Sequence, residues 1–385
     1  MKIVHICLCG PYTDGFNYQE NVITRYHRKM GHDVTIIASR YMWSNDGTLC
    51  KDVRLKYYNS DGVCVVRLPI VFGMSINARF KVYKGLYSTI ENEKPDILFV
   101  HDCQFLDVLT IAAYAKKHLE TSVFVDNHVD YINGAHGWFS RYLLHQGLWR
   151  WCAKKIEPYV KKFYGVLPAR VDFLTSMYNI PKEKCKLLVM GGDDELIRFA
   201  TSENVINTTR RLFDIKPDDF LISTGGKFNR NRSEVINLME AVGNLDCENI
   251  KLIVFGSVDD ELKPKFDCMC RSPNVTFVGW QNTRDYYSIF AASNLVVFPG
   301  AHSVLWEETV AIGVPAVFRD FSGFHHVDIC GNAVFVNDIS SLSIASIIKK
   351  VTSDRCVYEH MKQAAKGIKH LDFSYERIAK LSISD

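Results

Sequence analysis

Short apolar runs alternate with helical patterns along the first half of the chain. Residues 2–9 form an apolar run typical of a strand, residues 17–30 have helical apolar spacing ended by Gly31, and residues 33–38 form a second apolar run. A strand, a loop, a helix and a strand in this order predict a right-handed βαβ unit. Further strands of this half are predicted at residues 63–68, 96–100, 122–125 and 163–167.

The same alternation starts again after residue 190. Strands are predicted at residues 220–224, 251–256, 275–279, 295–299 and 316–318, with helices between them such as 234–242 and 283–292. Two successive arrays of this kind predict an α/β protein with two Rossmann-like domains, each a parallel sheet covered by helices on both faces. Two such domains facing each other would hold a ligand in the cleft at the carboxyl ends of their strands. We predict a boundary near residues 190–192.

Composition narrows the class of protein. Of 385 residues, 47% are hydrophobic and 23% are charged, and the formal net charge is only +3, so bulk attraction to nucleic acid is not expected. The apolar start of the chain is only a strand's length, and no run approaches the roughly 18 apolar residues of a membrane span. Several of the 12 cysteines lie in apolar runs, as small buried thiols do. We therefore expect a cytoplasmic protein.

The segment after the predicted strand 295–299 has the features of an anion site. Gly300, Ala301 and His302 form a turn, Ser303 is a candidate N-cap, and a helix is predicted from Val304 to Ile312. A helix that begins at the carboxyl end of a strand presents free N–H groups and a positive dipole end, which suit a pyrophosphate.

Glu308 lies one turn into that predicted helix. A carboxylate there can accept two hydrogen bonds from the vicinal hydroxyls of a ribose. Alternatively, Glu307 and Glu308 are ordinary acidic residues that complement the helix dipole in its first turn.

A basic loop follows the predicted strand 220–224. Gly226 precedes Lys227, and Arg232 comes five residues later. Fixed cations stabilise a diphosphate leaving group more in the transition state than in the ground state, because its negative charge grows as the bond breaks. The alternative is a solvated basic loop without a ligand.

In the first half, two strand ends carry candidate residues. Asp126 and His128 follow the strand 122–125, and His101-Asp102 ends the strand 96–100 as a second candidate. A neutral imidazole can accept the proton of an acceptor hydroxyl or hydrogen-bond to a sugar hydroxyl; a loop histidine with only structural hydrogen bonds is the alternative. In the loop 10–17, Gly15 could let the backbone approach a phosphate, whereas Asp14 or Asn17 could cap the following helix.

These segments together resemble glycosyltransferase family 4. The run from Glu308 through Gly313 and Pro315 is similar to that family's donor-site signature, Glu-Ala-x-Ala-x-Gly-x-Pro-Val. Upstream, the strand with Gly279 and the pattern Tyr286…Asn294 follow the family's order. The family's Gly-Arg-x4-Lys-Gly corresponds to Lys227 and Arg232 with the two cations exchanged. The resemblance covers nearly the whole chain and is strongest after residue 186.

The resemblance implies a GT-B fold, with an acceptor-binding domain at residues 1–190, a nucleotide-sugar-binding domain at 191–366 and a closing helix at 367–385 that packs back on the first domain. It implies transfer of a sugar from a nucleoside diphosphate sugar to a hydroxyl acceptor, with retention of anomeric configuration, in cell-surface polysaccharide or glycoconjugate assembly. Lys227 and Arg232 would neutralise the diphosphate, and Glu308 would hold the ribose. His128, or Asp126, would contact the transferred sugar. Ser303, Val304 and Leu305 would contact phosphate and sugar.

One position departs from the family pattern. The first Glu of the family's Glu-x7-Glu pair falls on Gly300, which has no side chain to hold the sugar. We expect His302 to take its place, with backbone N–H groups of Ala301 or Ser303 contributing. A nucleotide-sugar epimerase of the same architecture and a non-catalytic sugar-nucleotide binding subunit remain alternatives.

We expect neither a cofactor nor a metal, because Lys227 and Arg232 supply positive charge. Asp193, in the Asp193-Asp194-Glu195 run, corresponds to a residue that caps a helix in the family. The aromatic and basic segment at residues 138–162 is typical of a helix at a membrane interface, near a glycan or lipid-linked acceptor at the inner face of the membrane, or of a partly buried helix.

Overall fold

The computed structural model describes residues 1–44, 48–73, 80–230 and 233–384. The chain divides into two compact units, residues 1–189 with 378–385 and residues 190–377. Each unit is built on one sheet of mainly or wholly parallel strands with helices between them. The predicted α/β class and its two parallel sheets are therefore confirmed.

The described residues of the first unit form ten strands. They are β1 (Lys2–Cys7), β2 (Asp33–Ser39), β3 (Tyr41–Trp43), β4 (Leu49–Lys51), β5 (Lys56–Tyr58), β6 (Cys64–Leu68), β7 (Ile97–His101), β8 (Ser122–Asn127), β9 (Val160–Gly165) and β10 (Cys185–Leu187). Eight form a sheet in the order β10-β9-β8-β7-β1-β2-β6-β5, parallel except for the pair β5 and β6. Strands β3 and β4 form a separate antiparallel pair.

Helices flank this sheet. They are Gln19–Lys29, Leu86–Glu93, Val108–Lys117, a π-helical stretch Phe139–Trp149 that continues as the α-helix Arg150–Ile156, and Pro168–Ser176, with short 3-10 turns at Glu157–Tyr159 and Lys182–Lys184. All five residues of β7 are buried, because helices cover both faces of the sheet. This burial explains why the central strands read as continuous apolar runs in the sequence rather than as alternating patterns.

The strand order places a topological switch point in the first unit. From β1 the chain adds β2 and β6 on one side of the sheet, and from β7 it adds strands on the other side. The loop after β1 and the end of β7 therefore lie side by side at the carboxyl edge, which is where ligands bind in open α/β sheets.

The described residues of the second unit form a six-stranded, wholly parallel sheet. Its strands are β11 (Phe220–Phe228), β12 (Ile250–Val258), β13 (Val275–Phe277), β14 (Leu295–Phe298), β15 (Ala316–Arg319) and β16 (Ala333–Val336). Their order, β13-β12-β11-β14-β15-β16, reverses between β11 and β14, so the switch point lies between these two strands.

The helices of the second unit connect these strands and extend to the end of the chain. They are Asp194–Ala200, Glu203–Leu212, Val235–Gly243, Lys263–Met269, Thr283–Ala292, Leu305–Ile312, Ser341–Ser353 and Arg355–Ala365, with 3-10 turns at His325–Val327 and Ile368–Phe373. A last helix, Tyr375–Ser382, begins in this unit, and its residues from Ile378 onward cluster with the first. Within the described ranges, no helix is both long enough and apolar enough to cross a membrane.

Candidate functional site

A pocket opens at the switch point of the second unit, where β11 and β14 end. Its lining residues come from the end of β11, the start of the following helix and the loop after β14, and they are Thr224, Gly225, Gly226, Lys227, Phe228, Glu234, Val235, Phe298, Pro299, Gly300, Ala301 and Ser303. Four residues predicted from the sequence to bind the donor therefore lie together here: Gly226, Lys227, Gly300 and Ser303.

Lys227 is exposed at the end of β11, with its charge available to an anion. Next to it, Gly226 approaches Gly256 of β12 so closely that a Cβ at Gly256 would overlap the carbonyl oxygen of Gly226. The second predicted cation, Arg232, lies outside the described residues, so the structure tests neither its position nor its role.

The helix after β14 runs from Leu305 to Ile312, with Val304 in the N-cap position. The predicted cap by the Ser303 side chain is wrong: the helix begins one residue later, and Ser303 instead accepts a hydrogen bond from the Trp306 N–H through its backbone oxygen, at 3.0 Å. Its first turn still follows directly on the pocket-lining loop, as an anion site requires.

Glu308 is fully buried in this helix. The Tyr286 hydroxyl donates to its carboxylate, with distances of 3.1 and 3.0 Å to the two oxygens, and the Tyr286 ring stacks on Phe255. A ribose hydroxyl that binds Glu308 would therefore share the carboxylate with the Tyr286 hydroxyl or replace it. The predicted ribose contact stays a prediction, and the structure adds Tyr286 as the residue that covers the carboxylate.

Glu307 forms a second buried cluster. One of its carboxylate oxygens accepts hydrogen bonds from His302, at 2.8 Å, and from His326, at 2.9 Å. Burial raises the pKa of Glu307, but His302 and His326 outweigh burial and lower that pKa to about 2. His302 is thus tied to Glu307, and it is not one of the residues that line the pocket.

The helix cap predicted at Asp193 is confirmed. Its side chain accepts a hydrogen bond from the Glu195 N–H at 3.0 Å, at the start of the helix Asp194–Ala200.

In the first unit, the predicted sugar-contacting residues meet at the carboxyl ends of β7 and β8. The Asp126 carboxylate is completely buried and accepts from His101 Nδ1 at 2.8 Å and from the Asp102 N–H at 3.0 Å. His128 Nε2 lies 3.4 Å from the carboxylate oxygen that accepts from His101, and 26% of the His128 side chain is exposed. Within the described part of the chain, His101, Asp126 and His128 are also the group that could hold a metal ion, since their ligand atoms lie within 4.8 Å of one another.

Three histidines form a buried chain of hydrogen bonds that ends at Asp126. His101 Nε2 lies 3.0 Å from His5 Nδ1, and His5 Nε2 lies 3.0 Å from His27 Nδ1. His27 Nε2 lies 2.9 Å from the Ala379 carbonyl oxygen. The array therefore runs from the last helix of the chain, through the sheet, to the candidate site.

The two rings farthest from Asp126, His5 and His27, are the most deeply buried of the three rings in this array. Burial, with His27 and His101 nearby, lowers the pKa of His5 well below its ordinary value, and burial lowers that of His27 to about 4. Both rings are therefore neutral at pH 7.

His128 has the opposite shift. Burial lowers its pKa, but the Asp126 carboxylate outweighs burial and raises that pKa to about 9. At neutral pH the imidazole is consequently protonated. Of the two roles inferred from the sequence, this favours donation of a hydrogen bond to a sugar hydroxyl over acceptance of a proton.

At the first helix, Gln19–Lys29, the N-cap position belongs to Tyr18 and not to Asp14 or Asn17, and the Tyr18 side chain makes no capping hydrogen bond. Asp14 instead accepts hydrogen bonds from the Tyr57 hydroxyl at 2.7 Å and from Arg54 at 3.1 Å. Gly15 has a φ of +75°, so glycine suits the turn that follows β1.

Exposed apolar side chains lie along the π-helical stretch Phe139–Trp149, at the residue before it and on the helix that continues it. These are Trp138, Phe139, Tyr142, Leu143 and Trp151, each between 45% and 69% exposed. The opposite side of the segment packs into the core through Trp149, Cys152 and Ile156. The segment is therefore partly buried and also presents aromatic surface to solvent.

Comparison with known proteins gives no match to any family model or any curated protein. Solved structures do match over nearly the whole chain. HepE from Anabaena, solved in complex with UDP, is 14% identical with a TM-score of 0.70, covering 99% of this chain and 98% of that one. WaaG, described as a glycosyltransferase involved in lipopolysaccharide biosynthesis, is 14% identical with a TM-score of 0.66, covering 99% and 100%.

A protein of different activity shares the architecture. A structure from Listeria monocytogenes described as a UDP-N-acetylglucosamine 2-epimerase is 12% identical with a TM-score of 0.62, covering 98% of this chain and 94% of that one. At such identities the likeness establishes the fold and leaves the activity to be argued from the site. The chain has the GT-B fold, with two Rossmann-like domains.

Proposed function

We propose that the protein is a glycosyltransferase that moves a sugar from a nucleoside diphosphate sugar to a hydroxyl acceptor. The observation that carries this proposal is the pocket at the switch point between β11 and β14. There the exposed cation of Lys227, the Gly225-Gly226 backbone and the loop that leads into the helix Leu305–Ile312 surround one space. A cation and a helix start beside a glycine-rich strand end are what a diphosphate requires.

In this proposal Lys227 stabilises the charge that develops on the diphosphate as the glycosidic bond breaks. Arg232 serves as a second cation, and Glu308 binds the ribose beside the Tyr286 hydroxyl or in its place. The protonated His128 of the first unit donates a hydrogen bond to the transferred sugar. We propose that no metal ion takes part and that the anomeric configuration is retained, as the resemblance to glycosyltransferase family 4 implies.

An epimerase is the second candidate, because a protein described as one shares the fold. The two are separated by incubating the protein with UDP-, GDP-, ADP- and dTDP-sugars, with and without simple sugar acceptors. Release of nucleoside diphosphate that depends on an acceptor supports transfer. A change in the sugar's configuration without an acceptor supports epimerisation. Tight binding with neither reaction supports a non-catalytic binding subunit.

We further propose that the acceptor is a glycan or lipid-linked sugar of cell-surface polysaccharide assembly, met at the inner face of a membrane. The support is the likeness to WaaG and the exposed aromatic side chains of residues 138–151, with Lys154 and Lys155 following them. Aromatic rings beside basic side chains suit the interface of an anionic membrane.

A further inference from the structure

The pocket at β11 and β14 contains a carboxylate that the sequence patterns did not single out. Glu234 directly precedes the helix Val235–Gly243, and 19% of its side chain is exposed. One carboxylate oxygen accepts from Arg319 Nη1 at 2.9 Å. The other oxygen is buried and finds no hydrogen-bond partner among the described residues.

This second oxygen points to the place where a side chain at residue 300 would begin. A Cβ built on Gly300 would lie 3.3 Å from Glu234 Oε2 and 3.8 Å from its Cδ. Gly300 does not have a positive φ, so its backbone conformation does not demand glycine. Its lack of a side chain instead leaves open the space next to the Glu234 carboxylate, and both residues line the pocket.

A buried carboxylate oxygen without a donor is costly, and a hydroxyl group that enters the pocket would remove that cost. Lys227 lines the same pocket and would hold the phosphate, so a hydroxyl-bearing group attached to that phosphate would reach Glu234. We infer that Glu234 binds hydroxyl groups of the donor's sugar, in the space that Gly300 leaves open. This inference rests on the proposed function. It assigns to Glu234 the contact with the sugar that the sequence predicts for His302.

The inference also predicts which sugars are accepted. A fixed carboxylate attracts the hydroxyls of a neutral sugar and repels the carboxylate of a uronic acid. A purely structural Glu234 would only pair with Arg319 and complement the start of the helix Val235–Gly243, and its loss would affect every ligand of the pocket to the same extent.

The test compares sugar nucleotides with their own diphosphates. Isothermal titration of the wild-type protein with UDP-glucose, GDP-mannose, ADP-glucose and dTDP-glucose first selects the nucleotide that binds best. Glu234→Gln should then weaken binding of that sugar nucleotide about ten-fold, while the affinity for the matching diphosphate stays within about two-fold. The control is Glu240→Gln, which makes the same charge change at an exposed position of the same helix and should alter neither affinity.

A second variant tests the same contact if Glu234→Gln does not fold. Gly300→Ala leaves Glu234 in place but puts a methyl group against its second carboxylate oxygen. It should also weaken binding of the sugar nucleotide more than binding of the matching diphosphate. If both variants bind sugar nucleotide and diphosphate as the wild type does, or lose both affinities equally, the role of Glu234 is overturned while the proposed function stands. If the wild type binds none of the four sugar nucleotides, the proposed function itself fails, and the role of Glu234 with it.

Discussion

His101 Nε2 lies within hydrogen-bonding distance of His5 Nδ1, at 3.0 Å, and both rings are buried in the sheet of the first unit. Through this contact the Asp126 carboxylate at the strand edge is joined to His27 and the last helix of the chain. Buried polar chains of this kind are stabilising only when every member is satisfied. The array should therefore respond strongly to the loss of any one ring.

His5→Phe should destabilise the protein. Phenylalanine keeps a ring of similar size but leaves one nitrogen of His27 and one of His101 without a partner, which should lower the free energy of unfolding by about 3 kcal/mol. Urea denaturation measures this change. The exposed His136, changed to Phe, serves as the control and should have little effect. Equal free energies of unfolding of the two variants would show that the histidine array does not stabilise the fold.

Asp126→Asn should move the titration of His128. The Asp126 carboxylate is the main influence that raises the wild-type pKa to about 9, so its loss should lower the His128 pKa, because burial is then opposed by Asp102 alone. Because the folded pKa is raised, the stabilisation from this pair is complete below pH 6.5 and is lost as pH rises through about 9. NMR of the imidazole resonances against pH gives the pKa directly. An unchanged His128 titration in the variant would rule out this pairing.

Glu307 should make the second unit sensitive to acid. Its folded pKa of about 2 is depressed from an ordinary value of 4.5, so its stabilisation is present above pH 4.5 and is lost as pH falls through about 2. Glu307→Gln should lower the free energy of unfolding at pH 7 by about 3 kcal/mol and flatten the acid dependence. Denaturation at pH 7 and pH 3 tests this against Glu240→Gln, which should retain wild-type behaviour at both values. A Glu307→Gln protein as stable as wild type at pH 7 would contradict the cluster's role.

The exposed aromatic side chains at the start of the 138–162 segment should bind anionic vesicles. Changing Trp138 and Phe139 together to Ser should reduce co-sedimentation with phosphatidylglycerol vesicles several-fold, because both rings are more than half exposed. Leu119, which is 78% exposed outside this segment, gives the control Leu119→Ser. Equal co-sedimentation of both variants and the wild type with these vesicles would contradict the proposed membrane contact.

The sequence patterns predict most of the fold because local periodicity reports burial. The fully buried strands, such as β7, appear as unbroken apolar runs, and the predicted boundary near residues 190–192 agrees with the division at Met190. The patterns did not predict β3, β4, β5, β10 and β16. These strands are only three or four residues long, and most of their side chains are half-buried or exposed.

The candidate site was predicted only where its residues follow a strand end in the sequence. Lys227, Asp126 and His128 meet that condition. His5 and His27 lie inside an apolar strand and a helix, and nothing in their spacing indicates that their rings meet. Glu234 approaches Gly300 from 66 positions away, and local patterns carry no information on such a pairing.

In the proposed function, the pocket of the second unit holds the diphosphate of a sugar nucleotide beside Lys227. Isothermal titration of wild type and Lys227→Ala with the four sugar nucleotides and their diphosphates tests it most directly, with the exposed Lys265→Ala as control. Wild type and control should bind alike, and Lys227→Ala should weaken the binding of a sugar nucleotide and of its diphosphate equally, about ten-fold each. Unchanged affinity in Lys227→Ala, or a wild-type protein that binds none of these nucleotides, would contradict this placement of the diphosphate.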